Sequence, residues 1–293
     1  MKDKIYFVLF ILWLITGCGV PKHVVSYIDL AKTAENEGDY KRAADAWKNY
    51  FSQFPVMNEV EGSVYAGAAL TAYKAGDMGQ AIAWFDQARY RDFASAEMYS
   101  TLAGIFKKQD NLSRELSALE YLQKNFEGRV EGVNSRLFSI YNEIDLVEKA
   151  LGAWNNMNPE AKNDVQHLDQ YFRMNKKLGN EVVCDSLSLV ILEKNPNHVN
   201  TLEWQAKKYY NQAESNYVNH MTKYENNKTR KQYRILLNEL EKLTADFKQA
   251  LGYFEKLWEL NPGSQSEYAG YISNIYIRFN DEKNALKYRK LAD

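Results

Sequence analysis

Apolar and small side chains recur at intervals of three and four residues along most of this chain, and short polar turns interrupt them at regular distances. Tyr27, Leu30, Ala31 and Ala34 fall on one helical face, Gly38-Asp39 breaks the pattern, and Ala43, Trp47 and Tyr50 resume it ahead of Pro55. A period near 3.6 on both sides of a two-residue break predicts a helix hairpin. Gly38 can close the first helix in a left-handed conformation, Asp39 can cap the second, and Pro55 can end it. The same sequence of signals returns at Gly76-Asp77 with Ala81, Asp110-Asn111, Asp145-Leu146 with Ala150, and Gly179-Asn180 with Cys184, at spacings of 38, 34, 35 and 34 residues. A unit of that size cannot bury its apolar face alone and must stack on its neighbours, which predicts an all-α solenoid of antiparallel helix pairs.

The sixth unit departs from the rhythm. Leu202 and Ala206 open a first helix as before, yet the expected second helix, with Ala250, Phe254, Leu257 and Pro262, arrives about 32 residues late. One apolar stripe runs through Tyr210, Ala213, Tyr217, Met221 and Tyr224, another through Leu236, Leu240, Leu243, Phe247 and Leu251, with a turn only at 226–229. These predict an elongated helical hairpin near the C-terminus, each arm projecting about 16 residues, roughly 24 Å, past its neighbours. Tyr209 and Tyr210 are adjacent and cannot share a face, so one of the two is expected to be exposed. Ser264-Gln265-Ser266-Glu267 has the form of a capping box and opens a closing helix pair. The expected organisation is therefore 1–17, a signal; 18–23, a tether; 24–198, five repeats; 199–263, the sixth; and 264–293, a capping pair.

Residue by residue, this pattern resembles the tetratricopeptide repeat. Tyr65, Ala69, Gly76, Ala81, Phe85 and Ala88 carry the likeness in the second unit, and Tyr99, Leu102, Ala103, Phe106, Leu119 and Leu122 in the third. Leu137, Tyr141, Ala150, Trp154 and Met157 carry it in the fourth, and Leu168, Tyr171, Gly179, Ile191 and Pro196 in the fifth. Phe138 and Phe172 stand where that family prefers small side chains, and Glu115 where it prefers alanine. The resemblance implies a concave face lined by first helices, here offering Ser63, Tyr73, Lys74, Lys107, Lys108, Arg173, Lys176, Lys177, Lys207 and Tyr210 to an acidic peptide or carboxylate terminus. The family's carboxylate clamp is not matched, since Ile28 and Lys32 occupy the positions where it needs Lys and Asn.

Charge and candidate chemistry narrow the function. With 37 basic and 38 acidic side chains the chain has no general attraction for a polyanion, and nucleic acid is not an expected partner. His23, His167, His198 and His220 are far apart and form no metal-binding spacing. Residues 62–67 have the first interval of a phosphate loop, but Ala68 and Ala69 replace the Lys and Ser or Thr that it requires. No enzyme activity and no cofactor are expected. Cys184 aligns with the alanines of other units and reads as a small buried residue.

Met1 to Lys4 is a short basic stretch, followed by an apolar run of 11 residues and then Thr16-Gly17-Cys18. Eleven residues rise only about 17 Å as a helix, so a cleaved signal fits better than a membrane span. Ile15-Thr16-Gly17-Cys18 resembles the bacterial lipobox, which implies cleavage before Cys18 and acylation of that cysteine. By the same comparison the expected location is the outer membrane, facing the periplasm. The function expected on these grounds is a membrane-anchored, non-catalytic adaptor for a protein or peptide partner. The alternative is an accessory glycan- or nutrient-binding lipoprotein of a polysaccharide-uptake system.

Overall fold

A computed structural model describes residues 26–53 and 60–292. The expected signal, Cys18, the tether, and the helix stop at Pro55 lie outside the described residues. Among those described, every regular element is helical.

The first unit ends at Val130 and holds three antiparallel pairs. They are α1 (Tyr27–Asn36) with α2 (Tyr40–Ser52), α3 (Gly62–Lys74) with α4 (Met78–Tyr90), and α5 (Ala96–Lys108) with α6 (Leu112–Asn125). The second unit begins at Glu131. It holds α7 (Val133–Glu143) with α8 (Val147–Asn155), a short α9 (Pro159–Lys162), α10 (Val165–Lys177) with α11 (Glu181–Lys194), α12 (Val199–Asn226) with α13 (Arg230–Leu260), and α14 (Gln265–Arg278) with α15 (Glu282–Ala292). The fold is all-α and of tetratricopeptide type, and within each unit successive pairs pack on one another.

The turns follow from backbone chemistry. Gly38, Gly76, Asp110, Asp145, Gly179 and Asn280 all take positive φ, between 53° and 86°. Each lets the next amide reach back five residues to the preceding helix, as in Asp77 N to Ala72 O at 2.9 Å and Leu146 N to Tyr141 O at 2.8 Å. Carbonyls that would otherwise lack a partner are thereby satisfied. Asp39, Asp77, Asn111 and Asp281 then accept an amide hydrogen from the start of the following helix.

The long hairpin arises where this device is missing. Ala213 stands in α12 at the place that Gly179 holds after α10; it stays helical and is fully buried. α12 and α13 run for 28 and 31 residues, against 13 and 14 for α10 and α11. The excess over α10 and α11, about 16 residues per arm, corresponds to roughly 24 Å of projection.

Alanines mark the helix crossings: Ala31, Ala43, Ala69, Ala81, Ala150, Ala206 and Ala250 are fully buried. Larger side chains fill the space around them, and Trp47 also donates its indole N–H to Glu35 Oε1 at 2.8 Å. Phe138 and Phe172 are buried, packed against Trp154 and Trp204 respectively, and Glu115 is buried as well. Cys184 is buried, its Sγ 3.8 Å from the Phe172 carbonyl, and desolvation pushes its thiol above the ordinary value.

Three expectations need correction, and one element was not foreseen. Leu30, placed on the apolar stripe of α1, is 45% exposed, while Ala31 and Ala34 of the same helix are the residues turned into the core. The capping box does not form: Pro262–Ser264 makes a 3₁₀ turn leading straight into α14, Ser264 makes no side-chain cap, and Glu267 pairs with Lys207. Neither Tyr209 nor Tyr210 is exposed, since α12 has neighbours on two flanks: Tyr209 stacks on Tyr253 of α13, and Tyr210 meets Tyr271 of α14 edge-on. The helical turn α9, capped by Asn158 with Pro159 at its first position, was not anticipated.

Candidate functional site

The site is built from two first helices lying side by side, α7 and α10. Arg136, Ser139 and Glu143 recur on one face of α7 at intervals of three and four, and Gln170, Arg173 and Lys177 do the same on α10. Together with Tyr141, Asn142, Asp145, Val147 and Met174 they line a cavity of about 380 Å³. Ser139 donates its hydroxyl to Gln170 Oε1 at 3.0 Å, joining the two helices across the cavity. The left-handed turn after α7 presents Asp145, which accepts from Lys177 Nζ at 2.8 Å.

The ionic contacts here differ in how tightly they are held. Lys177 and Asp145 have side chains 67% and 71% exposed. Such a pair contributes about 0–1 kcal/mol, so a carboxylate from outside can replace Asp145 at small cost. Arg173 is 57% exposed and lies 2.9 Å from Asp169. Asp169 is mostly buried and also faces His198 Nε2 at 3.3 Å and the Asn200 amide at 3.3 Å, so it is anchored to the start of α12 while the guanidinium stays open to solvent. Arg136, Arg173 and Lys177 meet Glu143 and Asp145 in the lining and Asp169 beside it, so the charges balance and the exposed Lys177 and Arg173 are the groups whose counter-ions an outside carboxylate can replace or join.

The other residues expected on the binding face have different surroundings. Lys176 is exposed on α10 but outside the cavity lining. Lys207 lies between Glu203 at 2.5 Å and Glu267 at 2.7 Å, and ties α14 to α12. Burial would lower its pKa, but hydrogen bonds to the two carboxylates outweigh that and hold it above the usual lysine value. Tyr210 is half-buried; desolvation raises its pKa, and its hydroxyl accepts from Asn274 at 3.3 Å. In the first unit, Lys108 donates to the Tyr73 hydroxyl at 3.2 Å and lies over its ring, and Lys74 lies over the Tyr40 ring. Lys107 is exposed, and Ser63 donates to Glu61.

Arg136, Ser139, Glu143 and Gln170 were not singled out from the sequence, and Asp145 was read only as a turn residue. A signal for them existed: Arg136, Ser139 and Glu143 precede Asp145 by the same intervals at which Gln170, Arg173 and Lys177 precede Gly179. Polar residues at equivalent positions of consecutive first helices must face one another when the pairs stack.

No protein-family model matches this chain, and no curated protein matches it. Solved structures with similar folds include the C-terminal part of a TPR repeat-containing protein from Cytophaga hutchinsonii, at 15% identity and a TM-score of 0.46, covering 90% of this chain and 93% of that one. A putative protein binding protein from Bacteroides ovatus is similar at 19% identity and a TM-score of 0.48, over 76% of this chain and 100% of the other. A tetratricopeptide repeat protein from Parabacteroides merdae shows 12% identity and a TM-score of 0.43, with 91% of each chain covered.

Proposed function

We propose that this chain is a non-catalytic adaptor of the bacterial envelope, anchored by lipid on Cys18 to the outer membrane and facing the periplasm. In this reading it holds an acidic peptide segment of a protein partner in the cavity between α7 and α10. The observation that carries the proposal is the solvent-exposed Lys177–Asp145 pair beside the exposed Arg173 guanidinium, all lining one cavity. An incoming carboxylate gains charge-assisted hydrogen bonds from Lys177 and Arg173 and displaces only a weak contact. The paired faces of α7 and α10 run along the helices, which suits an extended segment.

The double substitution Arg173→Glu/Lys177→Glu tests this. Fluorescence anisotropy with an extended Asp- and Glu-rich peptide is expected to show binding to the natural chain, weakened about tenfold or more in the variant and reduced by added salt. Both positions are exposed, but Arg173 also faces the mostly buried Asp169, so the circular dichroism melt is expected to fall by a few degrees at most while the helical signal is kept. Equal affinity in the two proteins would contradict the assignment of the cavity.

A further inference from the structure

A second groove lies between α11 and α13. Lys248, Gly252 and Lys256 follow one another at four-residue intervals along one line of α13, and Leu189, Leu192 and Pro196 form the opposite side. The groove encloses about 340 Å³. Its apolar character continues along the outer face of α11, where Leu189 is 56% and Val182 80% exposed. Lys248 and Lys256 make no ion pair among the described residues, in contrast to Lys207 and Lys208 nearby on α12.

Gly252 sharpens the picture. In the interior of a helix glycine is destabilising relative to alanine. Nothing lies within 4 Å of the position a Cβ would take there. Gly67, Gly104, Gly152 and Gly270 are helical glycines with equally open surroundings, and Gly252 is set apart by its place in the groove lining midway between two unpaired lysines.

We infer that the α11–α13 groove receives an amphipathic helix of a partner protein, with its apolar stripe against Leu189 and Leu192 and its acidic flank against Lys248 and Lys256. The two lysines are eight residues apart, about 12 Å along the axis of α13. Carboxylates separated by two turns of a partner helix match that distance, and the space over Gly252 admits an apolar side chain between them. Opposite charge beside an exposed apolar line selects an acidic helix over a basic one. Repulsion between like charges disfavours a second copy that presents this same lysine-edged groove.

The test uses the purified full chain and a labelled helical peptide of about 18 residues, with leucines along one face and glutamates beside them. Anisotropy is expected to show saturable binding that falls about tenfold or more in Lys248→Glu/Lys256→Glu and returns when the peptide's glutamates are exchanged for lysines. Gly252→Leu is expected to weaken binding to a similar extent while leaving the melting temperature unchanged or higher, and Arg173→Glu/Lys177→Glu should leave this peptide's affinity unaltered. Equal affinity of natural and variant chains would overturn the inference. So would a dimer that depends on the same residues in sedimentation, or attachment to phosphatidylglycerol vesicles that depends on them while the peptide fails to bind.

Discussion

Phe254→Ala is expected to cost about 3–5 kcal/mol of stability, the range for deleting a fully buried aromatic ring. Phe254 has no exposed surface and stacks on Tyr271 of α14, with centroids 4.8 Å apart and planes 13° from parallel. Tyr210 and Tyr268 approach it at 6.5 and 6.2 Å, so the ring joins the long hairpin to the closing pair. Its removal leaves a cavity ringed by three tyrosines that cannot collapse inward without losing their own contacts. Urea unfolding followed by tryptophan fluorescence should show a lower midpoint, with Trp258 as a nearby reporter. Tyr268→Phe provides the contrast, since it removes only the hydroxyl that accepts from Asn261 at 3.1 Å and should cost about 1 kcal/mol. A loss below about 1 kcal/mol for Phe254→Ala would contradict the packing described.

Cys18→Ala is expected to change location rather than stability. If the cysteine carries acyl chains, each buried CH₂ contributes about 0.8 kcal/mol, and two or more chains make release from the membrane negligible. The substituted chain should move to the soluble periplasmic fraction, or stay unprocessed with its leading segment attached, and it should not incorporate labelled palmitate. Fractionation and intact-mass measurement distinguish these states. Unchanged partition and mass would remove the anchor from the proposed function and leave the two grooves untouched.

The turns were readable in the sequence because a positive φ restricts residue choice. Only Gly, Asn and Asp serve the six positions from Gly38 to Asn280. The elongated hairpin was readable for the complementary reason: the apolar stripes pass through the turn position without a break, and Ala213 occupies it. The capping box misled because Ser-x-x-Glu is a local pattern, while Glu267 is drawn to Lys207, which is 60 residues away in sequence. Tyr209 and Tyr210 misled because a helix gripped on two flanks buries more than one stripe. The exposed lysines of the first helices were visible, but their state was not. Lys207 and Lys177 look alike in sequence, and only the fold shows that two carboxylates enclose the first while a single exposed one meets the second. The α11–α13 groove escaped notice because Lys248, Gly252 and Lys256 belong to no repeat signature and gain meaning only from the helix opposite.

Carbodiimide crosslinking mass spectrometry on intact envelopes, which couples lysine amines to neighbouring carboxylates, tests the central claim most directly. The account predicts crosslinks that join Lys177, in the lining of the α7–α10 cavity, to acidic segments of a second protein. Crosslinks confined to this chain, or partner contacts that avoid Lys177, would contradict it.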